Sequence, residues 1–128
     1  MEGDSRCFKF LRIARKCALE SSAPFKLGAA LAKSGRLISF GHNKYNMSSW
    51  VARKYFKFAS VHAECDAIRK AFSSDLRGAV LYIVRLKRNG SYGFSKPCVR
   101  CLRVLQECGI KRMVYSTEQS PFYIEEKV

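Results

Sequence analysis

No stretch of about 18 apolar residues occurs in this chain, so none of it reads as a transmembrane helix. The opening residues Met1-Glu2-Gly3-Asp4-Ser5 offer neither an apolar signal core nor a small-residue cleavage site, and the expectation is a cytoplasmic protein with no membrane partner. Internal repeats and Gly/Ser/Pro-rich linkers are also lacking, which leaves a single domain over residues 1–128 as the expectation. Acidic residues are scarce: 10 Asp and Glu stand against 24 Lys and Arg, for a formal charge of +14. That balance favours a phosphorylated or polyanionic partner. The positive residues are not gathered into a tail. Lys9, Arg12 and Lys16 share one helix face and read as a solvated surface, whereas Arg53, Lys54 and Lys57 in a central loop, and Lys96, Arg100 and Arg103 further on, are candidates for phosphate contact. Histidine is rarer still, with only two residues, His42 and His62.

What the chain does have is an alternation of helical and strand patterns. Phe10, Ile13, Ala14 and Cys17 recur at helical spacing between Ser5 and Ser21. Leu27 to Lys33 and Arg36 to Gly41 read as strands of a hairpin turning at Ser34-Gly35. A long polar and aromatic connection follows to Ser60, in which Ser48-Ser49 is suited to cap a short helix carrying Val51, Tyr55 and Phe58. His62 to Phe72 reads as a helix with Cys65, Ile68 and Phe72 inward. Ala79 to Leu86 is nearly continuous apolar strand, as a strand covered on both faces should be. Cys98 to Cys108 is a second helix, closed by Gly109. Lys111 to Ser116 is a further strand, and Pro121 to Val128 reads equally as a fifth strand or a packed tail.

Two short motifs open the two later helices: His62-Ala63-Glu64 and Pro97-Cys98-Val99-Arg100-Cys101. One imidazole and two thiolates make a three-ligand set for Zn2+, which keeps a fourth position open for water. Two Cys at i and i+3 on a first helical turn point the same way and can share one ion. Pro97 suits the helix entry, where a missing N–H costs little. A helix N-terminus also favours thiolate over thiol. Glu64 is placed to move the protons of that water, so it cannot also be a ligand. Taken alone, a C-x-x-C has other readings. A redox dithiol wants a thioredoxin-like context, which is missing. A structural zinc site wants a fourth ligand, and its candidates Cys65 and Cys108 fit better as small apolar residues on helix faces. With two of the six Cys assigned to zinc and the others in helical patterns, a reducing compartment is expected.

Together the motifs match the H-x-E…P-C-x-x-C signature of zinc nucleobase deaminases, and the chain resembles the cytidine deaminase-like superfamily over essentially its whole length. The resemblance implies an α/β fold, a three-layer α/β/α sandwich with a mixed four- to five-stranded sheet and zinc at the N-termini of two helices. It implies His62, Cys98 and Cys101 as metal ligands and Glu64 as the catalytic proton shuttle. It also implies that Asn43 contacts sugar or base and that the backbone N–H of Ala63 meets the base carbonyl. A loop-capping role is the other reading of Asn43. Lys96 and Arg100 stand beside the second motif as candidate phosphate-binding residues. A homo-oligomer is implied as well.

Within that superfamily, free cytidine deaminases usually carry Cys in place of His62 and follow the second motif with Arg-Gln, where this chain has Leu102-Arg103. Bacterial tRNA adenosine deaminases usually have Met where Arg100 stands and a Gly-Ala that is lacking here. The run Leu105-Gln106-Glu107-Cys108-Gly109-Ile110-Lys111-Arg112 resembles deoxycytidylate (dCMP) deaminases, and His62 to Ile68 is similar to small phage and viral deaminases. The expected reaction is hydrolytic deamination of a cytosine nucleotide or nucleoside, best dCMP, to the uracil form and ammonia. The alternative is deamination of cytosine or adenine in single-stranded DNA or RNA. For that, basic residues interleaved with Trp50, Tyr55, Phe56 and Phe58 could follow a backbone and stack its bases.

Overall fold

The computed structural model describes residues 2–23, 25–45, 60–71 and 74–128. The short helix expected after Ser48-Ser49, the basic and aromatic residues from Trp50 to Phe58, and Phe72 lie outside the described residues.

Helix α1 (Glu2–Leu19) buries Phe10, Ala14, Cys17 and Ala18 along one stripe, close to the periodicity read from the sequence. Strands β1 (Lys26–Lys33) and β2 (Arg36–His42) form the hairpin. Its turn residues Ser34 and Gly35 have φ of 52° and 76°, the two-residue type I′ geometry that matches strand twist. On its other side β1 pairs antiparallel with β5 (Val80–Leu86), β5 pairs parallel with β7 (Arg112–Ser116), and β7 pairs antiparallel with β8 (Tyr123–Lys127). The last of these resolves the C-terminal stretch as a strand. The main path is β2-β1-β5-β7-β8, a mixed sheet like the four- to five-stranded one expected, and a two-residue strand β6 (Tyr92–Gly93) joins the end of β5 as a sixth strand. Strands β3 (Lys44–Tyr45) and β4 (Ser60–Val61) pair as a separate ribbon.

The sheet has helices on both faces. Ala30, Ala32, Tyr82, Val84 and Leu86 pack with Phe10, Ala14 and Ala18 of α1. Ala29, Leu31, Leu81, Ile83, Met113 and Tyr115 pack on the opposite face with Ala63 and Ala67 of α2 (Ala63–Lys70) and Leu105 of α3 (Val99–Glu107). Alternate residues of β1 and β5 thus enter different cores, which is why these strands read as apolar on both faces.

Helix α3 stops as its sequence demands. Gly109 takes φ 76°, its N–H donates to the Gln106 carbonyl at 3.1 Å, and the Ile110 N–H donates to the Leu105 carbonyl at 3.0 Å. These are the paired bonds of a Schellman ending, closed by the apolar contact of Ile110 with Leu105 in the same core. Because α3 is the crossover between parallel β5 and β7, its N-terminus lies beyond the C-terminal ends of both.

On the last strand pair the buried Tyr115 donates its hydroxyl to Glu126 at 2.6 Å. Burial and that carboxylate push the phenol from 10.0 up to about 12. Below the unfolded value both states keep the proton; above it the unfolded chain ionises first and the folded state loses ground. Thermal stability is therefore expected to fall between about pH 10 and 12, by on the order of 1–3 kcal/mol from this group. Tyr115→Phe should lack that component, so identical alkaline melting curves for both proteins would refute it.

Candidate active site

Helix α2 is fixed to β2 by side-chain bonds. The Ser39 hydroxyl donates to the Ala67 carbonyl at 2.7 Å, and the His42 N–H donates to the Asp66 carboxylate at 3.2 Å. The helix sits so close that a Cβ on Gly41 would lie 2.7 Å from both the Ala67 nitrogen and Asp66 Oδ2, so only glycine fits. Asp66 is fully buried, and Arg69 at 2.8 Å and Lys70 at 3.2 Å compensate its charge. Since Ala67 lies toward Ser39, the start of α2 lies beyond His42, at the edge where α3 also begins.

His62 and Cys98 are the N-caps of α2 and α3, and neither side chain caps its own helix. They face each other instead. His62 Nδ1 lies 3.1 Å from Cys101 Sγ and 3.9 Å from Cys98 Sγ. All three donor atoms are within 4.8 Å of one another. Tetrahedral zinc, with bonds of about 2.3 Å to sulfur and 2.0–2.1 Å to nitrogen, implies donor spacings of about 3.5–3.8 Å. The observed distances bracket that range, so the residues fit one zinc ion, bound through Nδ1.

Glu64 stands in the first turn of α2 and is buried. Burial pushes its carboxyl above the usual carboxylate range, partly offset by its own backbone N–H and by His62. A carboxyl that holds its proton more readily than an exposed one suits proton transfer in both directions. Ala63, the first residue of α2, has a backbone N–H with no acceptor inside the helix, the position expected for a donor to the base carbonyl.

The entry to the second motif is pinned by buried serines. The Ser95 hydroxyl donates to the Ile83 carbonyl at 3.0 Å, the Ser116 hydroxyl donates to the Gly93 carbonyl at 2.7 Å, and the Ser116 N–H donates to Ser95 Oγ at 2.8 Å. These bonds tie the segment before Pro97 to the ends of β5 and β7. Asn43 is buried beside this edge. Its side-chain oxygen accepts from Ser21 Oγ at 2.6 Å and from the Leu27 N–H at 2.9 Å, while its amide nitrogen donates to the Phe25 carbonyl. Holding the loop before β1 is thus a role Asn43 visibly has, and one amide hydrogen remains. Lys96 is engaged by Glu126 at 3.2 Å and lies over the Tyr115 ring at 6.0 Å. Arg100 is exposed on the first turn of α3, between Cys98 and Cys101.

Two residues at the site carry more than the apolar pattern suggests. The fully buried residues of α2 are Ala63, Glu64, Asp66 and Ala67, whereas Cys65 and Ile68, expected inward, are only half-buried. Polar Asp66 takes an inward position because β2 and its own helix supply its partners, and Glu64 is buried at the site. Cys65 is no bystander on the helix face: its sulfur lies 3.8 Å from Cys101 Sγ. That contact, followed by burial and the Glu64 charge, raises the Cys101 thiol, the reverse of what its helix position alone would do. The group of three donors does not include Cys65. Cys17, Cys65, Cys98, Cys101 and Cys108 are free thiols.

Comparison with known proteins agrees with this geometry. The family model described as the cytidine and deoxycytidylate deaminase zinc-binding region matches residues 5–117. Solved structures share the fold. The dCMP deaminase of cyanophage S-TIM5, in apo form, is 21% identical, with 89% of this chain and 84% of that one covered at a TM-score of 0.67. A cytidine deaminase from Burkholderia pseudomallei is 23% identical over 94% and 91% of the two chains, with a TM-score of 0.69. A cytidine deaminase from Mycobacterium leprae is 24% identical over 92% and 91%, with a TM-score of 0.61. No curated protein matches the chain significantly by sequence. No helix among the described residues is long and apolar enough to cross a membrane.

Proposed function

The chain belongs to the cytidine and deoxycytidylate deaminase family of zinc hydrolases, and from that premise we propose that it deaminates a free cytosine nucleotide, dCMP by preference, to the uracil nucleotide and ammonia. The observation that carries the reaction is the convergence of His62 Nδ1 and the Cys98 and Cys101 sulfurs at two helix N-termini, with the buried Glu64 in the first turn of the helix that His62 caps. His62, Cys98 and Cys101 would hold the zinc, which when bound would supply a water acidified toward a pKa of about 7 as the nucleophile. Glu64 takes one proton from the attacking water and passes it to the ring nitrogen, then takes the second proton from the newly bonded oxygen and passes it to the leaving amine, which departs as ammonia. The Ala63 N–H holds the base carbonyl, and the remaining Asn43 amide hydrogen reaches the sugar. Arg100, exposed beside the ligands, and Lys96 contribute positive charge near the phosphate. The substrate preference is supported by the Leu105–Arg112 run, and by the cyanophage dCMP deaminase, a structural neighbour that has been solved in complex with dCMP and dUMP.

The +14 charge supports a second reading, deamination within a polynucleotide. Salt dependence separates the two. An enzyme that neutralises several phosphates of a single strand loses affinity with a log–log slope of roughly −0.7 per phosphate contacted. We expect turnover of dCMP above deoxycytidine, with only a shallow response to salt. Efficient deamination of an oligonucleotide without turnover of dCMP, read by mass change, would overturn the choice.

A further inference from the structure

β5 carries one charged residue among apolar ones, Arg85. Its neighbour two positions back, Ile83, packs into the core under α2 and α3, so Arg85 projects from the same face. It sits near the C-terminal end of β5, the edge at which both metal-bearing helices begin. Across the sheet Arg85 pairs with Leu27 on one side and Gly93 on the other. The Leu27 N–H in turn donates to the Asn43 side chain. Asn43, Leu27 and Arg85 therefore form one row on the substrate side. At a strand spacing of 4.7–4.9 Å, Arg85 stands about 10 Å from Asn43.

The guanidinium is held in place but not neutralised. Its Cζ lies 5.0 Å from the Phe25 ring centroid, a cation–π contact. Its stem crosses Gly93, where an added Cβ would meet Arg85 Cδ at 2.9 Å. Nε is buried with no hydrogen-bond partner, and no carboxylate pairs with the group among the described residues. A buried donor left unsatisfied is costly, and a planar guanidinium locked by stacking is suited to bidentate recognition of a phosphate. Lys96, by contrast, already has Glu126.

We infer that Arg85, backed by Phe25 and admitted by Gly93, is the subsite that receives the phosphate of the nucleotide. This rests on the deaminase reading above and names a residue that sets its preference for a phosphorylated substrate. The same chemistry would take a terminal phosphate or a phosphodiester of a strand, so the test carries both.

The experiment compares kcat/KM of the zinc-loaded protein and its Arg85→Gln variant on dCMP, deoxycytidine and a cytosine-containing oligonucleotide. A charge-assisted bond lost at a half-buried site lowers kcat/KM by about 10- to 100-fold. We expect that loss on dCMP, mainly through KM, with deoxycytidine changed less than about threefold, partial rescue by Arg85→Lys, and no selective loss in the charge control Lys111→Gln. A second readout is independent of turnover: dUMP should protect Arg85 of the unmutated protein from phenylglyoxal, scored by peptide mass. Equal losses on dCMP and deoxycytidine, or modification of Arg85 unaffected by dUMP, overturn the subsite. If dCMP is not turned over but the oligonucleotide is, and Arg85→Gln lowers that, the subsite stands with a phosphodiester and the free-nucleotide reading falls.

Discussion

Glu64→Gln should leave metal content and fold intact and lower kcat by at least about 10²–10⁴-fold, the range for loss of one general acid–base group. The true figure is expected at or beyond the upper end, because in the proposed reaction one carboxyl carries two successive protons, first to the ring nitrogen and then to the leaving amine. Gln keeps the shape of the side chain and its place in the first turn of α2, so packing around Ala63 and Ala67 is preserved. It cannot accept a proton and return it. Stability supports the same distinction. Glu64 is 5% exposed, and burial already biases it toward its neutral form. A neutral isostere removes a desolvation cost, so the thermal midpoint should hold or rise while turnover collapses. Glu64→Ala should abolish turnover equally but open a small void. A Glu64→Gln protein with near-native kcat would show that another group moves the protons.

Much of this site could be read from residue order alone, because its chemistry depends on local spacing. His62 and Glu64 stand two apart at one helix start, and Cys98 and Cys101 three apart at another, so each motif needs only its own helix to be oriented. The hairpin turn at Ser34-Gly35 and the stop at Gly109 were legible for the same reason: positive φ is a local demand with a local residue signature. Other features depend on contacts distant in sequence. The two-residue strands β3, β4 and β6 are too short to show a period of two. Cys65 reads as an apolar helix residue until the fold brings α3 against α2 and sets its sulfur beside Cys101. The burial of Asp66 likewise depends on a distant segment, because β2 offers it the His42 N–H. Arg85 did leave a signal, a charge inside an apolar strand. Its meaning depends on Phe25, Gly93 and Asn43, which come from three other segments.

Cys98→Ala should remove tightly bound zinc, and with it activity, at almost no cost to the metal-free fold. Unmutated protein is expected to hold about one zinc per chain, since three donors and an open position describe one site. Cys98 is exposed at the N-cap of α3 and makes no side-chain cap, so in chelator the variant and the parent should melt together. With zinc present they should separate. A ligand at a hundred times its Kd adds about 2.7 kcal/mol to the folded state that binds it, a shift of roughly 8–12 °C for a chain of this size. Cys101→Ala differs because Cys101 is 1% exposed. Truncating it loses the metal and also leaves a void beside Cys65, so it should melt lower than the parent even in chelator, by on the order of 1 kcal/mol. The pair of variants thus separates metal binding from packing. Elemental analysis and melting curves with and without chelator read both. Retention of stoichiometric zinc by Cys98→Ala would remove Cys98 from the ligand set, and a metal-independent drop in its stability as large as that of Cys101→Ala would assign it to the core.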